Sequence, residues 1–171
     1  DYEKALAGAE RQAAIYREAG QQLGEQMALS TAAWFSCALG RIDDAIPVLQ
    51  HAIATLRRIK APYGIGGSQM VLACAYALRG DRESALAMGR DVIQYLQRTL
   101  MVVWLVPYIA LLHAQQPGSE ADAALLIGFF DSELKRTGRL VFPFTTDVCA
   151  RVMALANAAL GDAQTQAHAA A

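Results

Sequence analysis

Two adjacent carboxylates and a histidine are the first residues whose types suggest chemistry. Asp43 and Asp44 stand eight and seven residues before His51, and acids beside an imidazole can hold a metal ion or exchange a proton in acid–base catalysis. On a helix, seven residues rise about 10 Å, too far for one small ion to bridge Asp44 and His51 directly. We therefore interpret the acids as helix-start electrostatics and place His51 on the solvated side of the same helix.

The other candidate stretches lack the residues that known sites require. His113 and His168 have no Cys, Asp or Glu at ligand spacing, and the glycine-rich APYGIGGSQ at 61–69 has no Walker lysine. We interpret that glycine-rich stretch as a flexible turn between helices. The sequence therefore predicts no catalytic, cofactor-binding or metal-binding residue, and the chain is not expected to be an enzyme.

Composition excludes several classes of partner. Fifteen basic and sixteen acidic residues give a net charge of −1, which offers no basic field for a phosphate backbone, so no direct nucleic acid contact is expected. The apolar run at 100–112 is too short to span a bilayer and predicts a buried helix. Cys37, Cys74 and Cys149 stand apart in apolar surroundings, as buried thiols do in a reducing, cytoplasmic compartment.

Helical periodicity runs along nearly the whole chain, most clearly through Ile42, Ile46, Leu49, Ile53 and Leu56. It predicts helices over 2–19, 22–39, 42–60, 64–79, 82–98, 100–115, 119–136, 146–160 and 162–170. Pro107 would kink the sixth of these helices, and residues 137–147 would form a loop that ends in a threonine cap.

An internal repeat underlies these helices. ALGRIDDAI at 38–46 aligns with LRGDRESAL at 78–86, which superposes Gly40 on Gly80 and Ala45 on Ala85. In each copy the glycine ends one helix and the alanine five residues later lets two helices approach closely. A third copy follows 38 residues on, at Gly118. Helix pairs repeating at this period are typical of an α-solenoid.

The repeat resembles the tetratricopeptide repeat (TPR). Small and apolar residues occupy the motif positions in the segments 26–59 and 66–99; they are Leu29, Ala32, Ala33, Ala45, Leu49 and Ala52, then Leu72, Ala73, Tyr76 and Ala85. The resemblance implies an all-α, TPR-like superhelix (solenoid) of antiparallel helix pairs with eight or nine helices. We expect one domain over 1–171, part of a longer chain, with repeats at 22–60, 64–98 and 100–136 and flanking helices at 2–19 and 146–170.

A further resemblance is to the C-terminal helical repeats of large bacterial LuxR-type transcriptional regulators and signalling ATPases, in segments such as AERQAAIYREAGQQLGEQMALS and AALLIGFFDSELKRTG. It implies an interaction or sensor module whose ATPase and DNA-binding parts lie elsewhere. The module would bind a protein partner, or other domains of its own chain, through an apolar concave groove. The predicted groove residues are Met27, Ser30, Trp34, Cys37, Met70, Cys74 and Tyr108.

Three alternatives remain open. The groove could close into a pocket around a small apolar inducer, the chain could catalyse a reaction without a known motif, or copies could associate through the exposed ends of the array. The apolar strip Leu140, Val141, Phe142 and Phe144 is either a second docking site or packs against its own domain.

Overall fold

The computed structural model describes residues 1–99, 101–139, 141 and 143–170, and all regular structure in them is helical. The α-helices are α1 (Tyr2–Glu18), α2 (Gln22–Ala38), α3 (Ile42–Arg58), α4 (Pro62–Arg79), α5 (Arg82–Arg98), α6 (Val106–Ala114), α7 (Glu120–Thr137), α8 (Pro143–Leu160) and α9 (Asp162–Ala169). The predicted all-α, helical-repeat class is confirmed. The chain divides into two compact units, Asp1–Leu96 (unit 1) and Gln97–Ala171 (unit 2), and the single domain over 1–171 stays a prediction.

Unit 1 repeats one turn geometry every twenty residues. Gly20, Gly40, Lys60 and Gly80 all have a left-handed backbone, with φ between 56° and 83°. After each of them, the next N–H donates to the carbonyl five residues back, as from Asp81 to Tyr76 at 2.9 Å. This pairing is the Schellman motif, which satisfies the last carbonyls of a helix. The sequence repeat of forty residues therefore contains two structural repeats of twenty.

Small residues let the helices of unit 1 pack closely. Ala45 and Ala85, each five residues after its glycine, are 1% and 6% exposed, as the predicted close approach at these two positions requires. Helix α2 packs on α1, α3 and α4, and α3 packs on α4. The Ser30 and Ser68 hydroxyls, on α2 and α4, meet at 2.7 Å in a buried hydrogen bond.

We expect Lys60→Gly to stabilise the chain. Lysine in a left-handed conformation costs about 1 kcal/mol that glycine does not, partly offset by the extra freedom of glycine in the unfolded chain. Chemical denaturation should therefore show a gain of about 0.5 kcal/mol. Gly40→Ala is the matched control: nothing lies within 4 Å of the added Cβ, so backbone strain alone should cost about 1 kcal/mol. A loss of stability in Lys60→Gly would contradict the proposed strain.

In unit 2 a short 3-10 helix, Val102–Leu105, precedes α6. The predicted continuous helix with a kink at Pro107 is wrong, because Pro107 lies in the first turn of α6. Proline is favoured there, since its missing N–H has no helical partner in the first turn. Helix α6 packs on α7 and α8, and α9 packs on α7 and α8.

The predicted loop over 137–147 is shorter in the structure. Helix α7 ends at Thr137 with Gly138 in a left-handed C-cap, and α8 already begins at Pro143. The expected threonine cap is wrong, since Thr145 is helical and buried. Phe144 is 8% exposed, so this residue packs internally rather than forming a docking surface. Leu140 and Phe142 lie outside the described residues.

Among the described residues, no helix combines the length and the hydropathy that crossing a bilayer requires.

Candidate functional site

The acidic residues near the turns form local hydrogen bonds and ion pairs at the helix ends. Asp81 accepts a hydrogen bond from the Ser84 N–H at 3.1 Å, and Arg79 donates to it at 2.8 Å. Hydrogen bonds from Ser84 and then Arg79 lower the pKa of this carboxyl. Arg79 Nη1 also lies 3.7 Å from Asp43 Oδ1 in the first turn of α3, so an ion pair links the ends of α4 and α3 near Gly80 and Gly40.

The Asp43, Asp44 and His51 constellation has the geometry that the sequence predicts. Both aspartates lie in the first turn of α3, and His51 is exposed on the same helix. No group of three or more potential metal ligands occurs among the described residues. The interpretation as helix-start electrostatics fits this placement.

The predicted groove residues fall into an accessible group and a buried group. Met27 is 37% exposed, and Trp34 and Met70 are half-buried. Ser30, Cys37 and Cys74 are at most 7% exposed, which leaves them little surface for a partner to touch. Tyr108 belongs to unit 2 and is 1% exposed. The groove itself stays a prediction, and its accessible part in unit 1 is Met27, Trp34 and Met70.

Two residues that sequence reasoning missed extend this accessible surface. Leu23, one helical turn before Met27, is 44% exposed, and Tyr63, two turns before Met70, is 65% exposed. Between Tyr63 and Met70, Gly67 has no atom within 4 Å of the position that a Cβ would take. We call this accessible surface the α2–α4 face; it consists of Leu23, Met27, Tyr63, Gly67 and Met70.

The glycine-rich start of α4 joins the two sides of this face. The interpretation of 61–69 as a flexible turn is wrong, since α4 begins at Pro62, two residues before the predicted start of the helix over 64–79. A Cβ at Gly64 would lie 2.8 Å from Leu56 and 3.3 Å from Leu23, and one at Gly66 would overlap the ring of Tyr95. The Tyr95 ring also meets Tyr63 edge-on, with centroids 6.2 Å apart. These glycines therefore allow neighbouring side chains to pack directly on the helix backbone.

Charge is nearly absent from the two helices that carry the face. Helix α2 has one charged residue, Glu25, which accepts a hydrogen bond from Arg17 Nε at 2.7 Å. Helix α4 has none before Arg79. Binding of a peptide carboxylate would need basic side chains, and α2 contributes none and α4 none before Arg79. The face suits apolar contact rather than ion pairing.

Cys37 and Cys74 are buried and Cys149 is half-buried, and this burial makes all three thiols weakly acidic. Burial raises the pKa of Cys37 to about 12 and that of Cys74 well above its ordinary value, in each case mainly by desolvation. Burial and then the nearby Asp131 raise the pKa of Cys149 to about 12. A thiol with such a pKa is almost entirely protonated at neutral pH and is a poor nucleophile.

Comparison with known proteins agrees with the helical-repeat class. A family model described as tetratricopeptide repeat matches residues 67–100, which cover most of α4 and all of α5. The match lies within one residue of the 66–99 segment aligned on the motif, so a TPR-like repeat region is present there. No curated protein and no solved structure matches the chain.

Two alanine substitutions at neighbouring glycines test the packing of α4. Gly66→Ala should destabilise the chain by about 1–3 kcal/mol, because its Cβ displaces the Tyr95 ring. Gly67→Ala should be neutral or stabilising by up to about 1 kcal/mol, because its Cβ enters open space and alanine favours helix. Urea denaturation of both variants measures the difference. Equal effects of the two substitutions would rule out the close contact at Gly66.

Thiol labelling tests the burial of Cys37 and Cys74. In a Cys149→Ser variant, we expect neither remaining thiol to react with a disulfide reagent within minutes at neutral pH, and both to react after denaturation in guanidinium. With a pKa near 12, only about one Cys37 in 10⁵ is thiolate at pH 7. Rapid labelling of the native variant would show that the predicted groove reaches these cysteines.

Proposed function

We propose that this chain is a non-catalytic protein-interaction module whose α2–α4 face binds an apolar, uncharged segment of a partner protein. The proposal rests on one observation: two adjacent helices beside a TPR-like repeat expose the side chains of Leu23, Met27 and Tyr63. Tetratricopeptide repeats generally mediate protein–protein interaction. A partner that covers these side chains gains about 25 cal/mol for each Å² of apolar surface removed from water.

The chemistry of the face restricts what it should accept. With Glu25 already engaged by Arg17, a charged partner residue would lose its hydration here without gaining an opposite charge. An apolar side chain loses nothing comparable, and the space above Gly67 is open to receive one. Binding should therefore depend little on salt, since screening acts on charge pairs.

The setting of the module is also a proposal. The resemblance of the sequence to the repeats of LuxR-type regulators supports a place in a larger bacterial regulator, where occupancy of the face would be relayed to neighbouring domains. The free cysteines support a reducing, cytoplasmic compartment, because oxidising compartments favour disulfides.

A random peptide library displayed on phage tests the face directly. We expect the chain to enrich apolar peptides without charged residues. Tyr63→Ala and Met27→Ala should each weaken binding of the selected peptide by about tenfold or more, the typical effect at a buried aromatic or methionine anchor. Fluorescence anisotropy at low and high salt measures both the affinity and its small salt dependence.

Val48→Ala is the matched control, because Val48 on α3 has the same exposed fraction as Met27, 37%. It should leave the affinity unchanged. Enrichment of acidic peptides, or equal losses in all three variants, would contradict the proposal. A small apolar molecule that raises the melting temperature in a concentration-dependent way, with no peptide enriched, would instead favour the inducer-sensing alternative.

A further inference from the structure

Helix α7 in unit 2 carries an apolar stripe on its exposed side. Leu125 and Phe129, one helical turn apart, are 47% and 51% exposed. Asp122 precedes them and Arg136 follows them on the same side of the helix, with side chains 72% and 68% exposed. We call Asp122, Leu125, Phe129, Ser132 and Arg136 the α7 stripe. Their spacing of three, four, three and four residues keeps them on one helix face.

The opposite side of α7 forms the packing of unit 2. Ala123, Ala124, Ile127 and Phe130 are at most 3% exposed, and α6, α8 and α9 all pack on this helix. Gly128 lies so close to the backbone of Ala169 in α9 that a Cβ would overlap it. The orientation of α7 is therefore determined by its own unit, which leaves the α7 stripe facing outward.

We propose that the α7 stripe is a self-association surface, on which α7 of a second copy lies antiparallel with the two-fold axis at Phe129. Asp122 and Arg136 stand seven residues before and after Phe129, about 10 Å along the helix in each direction. An isologous interface pairs each residue i with j and each j with i. Asp122 of each copy then meets Arg136 of the other, and the two Phe129 rings meet at the centre.

The order of charges along the stripe is what selects a second copy as the occupant. Along α7 the stripe runs from an acid through an apolar centre to a base. A second copy laid antiparallel presents the reverse order, so opposite charges face each other at both ends of the stripe. Within its own chain Glu133 accepts hydrogen bonds from Arg136 Nε at 2.9 Å and from its terminal nitrogen at 2.7 Å. The guanidinium is thereby oriented, and its remaining N–H groups can donate to an aspartate of the other copy.

The dimer should be weak and dependent on concentration. One helix pair with two exposed apolar side chains on each copy buries less than the ~1,200 Å² at which stable interfaces begin. Asp122 also lies 3.9 Å from His113 Nδ1 in its own chain. On dimerisation Asp122 therefore exchanges this contact for one with Arg136 of the other copy, which adds little affinity. The apolar centre supplies the attraction, and the two charge pairs select the antiparallel register.

Sedimentation equilibrium on charge-reversed variants tests this register. Asp122→Arg and Arg136→Asp should each weaken dimerisation by about tenfold or more, because each substitution creates two like-charge contacts in the symmetric dimer. The double variant Asp122→Arg with Arg136→Asp should recover most of the original affinity, since both pairs are again of opposite charge. Phe129→Ser should abolish the dimer at the same concentrations.

Leu23→Ser is the matched control, because Leu23 has nearly the same exposed fraction as Leu125 but lies on the α2–α4 face. It should leave the dimer unchanged, while circular dichroism confirms that every variant is folded. A chain that is monomeric at all concentrations would overturn the proposal. So would a double variant no better than the single ones, or a dimer that Leu23→Ser removes and Phe129→Ser does not.

Discussion

The left-handed turn that ends each of the first four helices is the constraint on which unit 1 depends. It recurs at residues 20, 40, 60 and 80, so α1, α2 and α3 all have seventeen residues. Alternate helices then run in the same direction, and α2 and α4 come side by side at the Ser30–Ser68 hydrogen bond. Without a turn that reverses the chain within three residues, these two helices would not align.

This alignment gives unit 1 two chemically different ends. The turns at Gly40 and Gly80 lie among ion pairs: Arg41 with Glu3 at 2.7 Å, and Arg79 with Asp81 and Asp43. The helix starts after Gly20 and Lys60 have one such pair, Arg17 with Glu25 at 2.7 Å, and carry the exposed side chains of Leu23 and Tyr63. Exposed ion pairs contribute little stability, whereas exposed apolar side chains favour being covered. The apolar end is therefore where we expect the proposed partner to bind.

Periodic features were predictable from the sequence, and features that depend on tertiary contact were not. Amphipathic α3 and the glycines at 40 and 80 follow from local rules. Lys60 concealed the twenty-residue period, because nothing in a lysine predicts a left-handed backbone. The glycines at 64 and 66 favour a turn by propensity, yet the segment is helical, and the side chains of Leu56 and Tyr95 lie against these glycines. Leu23 and Tyr63 were missed because their exposure depends on how α2 and α4 pack against their neighbours, which helical periodicity does not give.

The central claim is that a partner binds at the α2–α4 face and nowhere else on unit 1. Nuclear magnetic resonance measures this most directly, by titrating the isotopically labelled chain with an uncharged apolar peptide and following each backbone amide and methyl group. We expect the largest shifts on Leu23, Met27, Tyr63 and Gly67, and no shifts on α3 or around Arg79. Shifts concentrated on α3 or around Arg79, with the α2–α4 face unaffected, would contradict binding at this face.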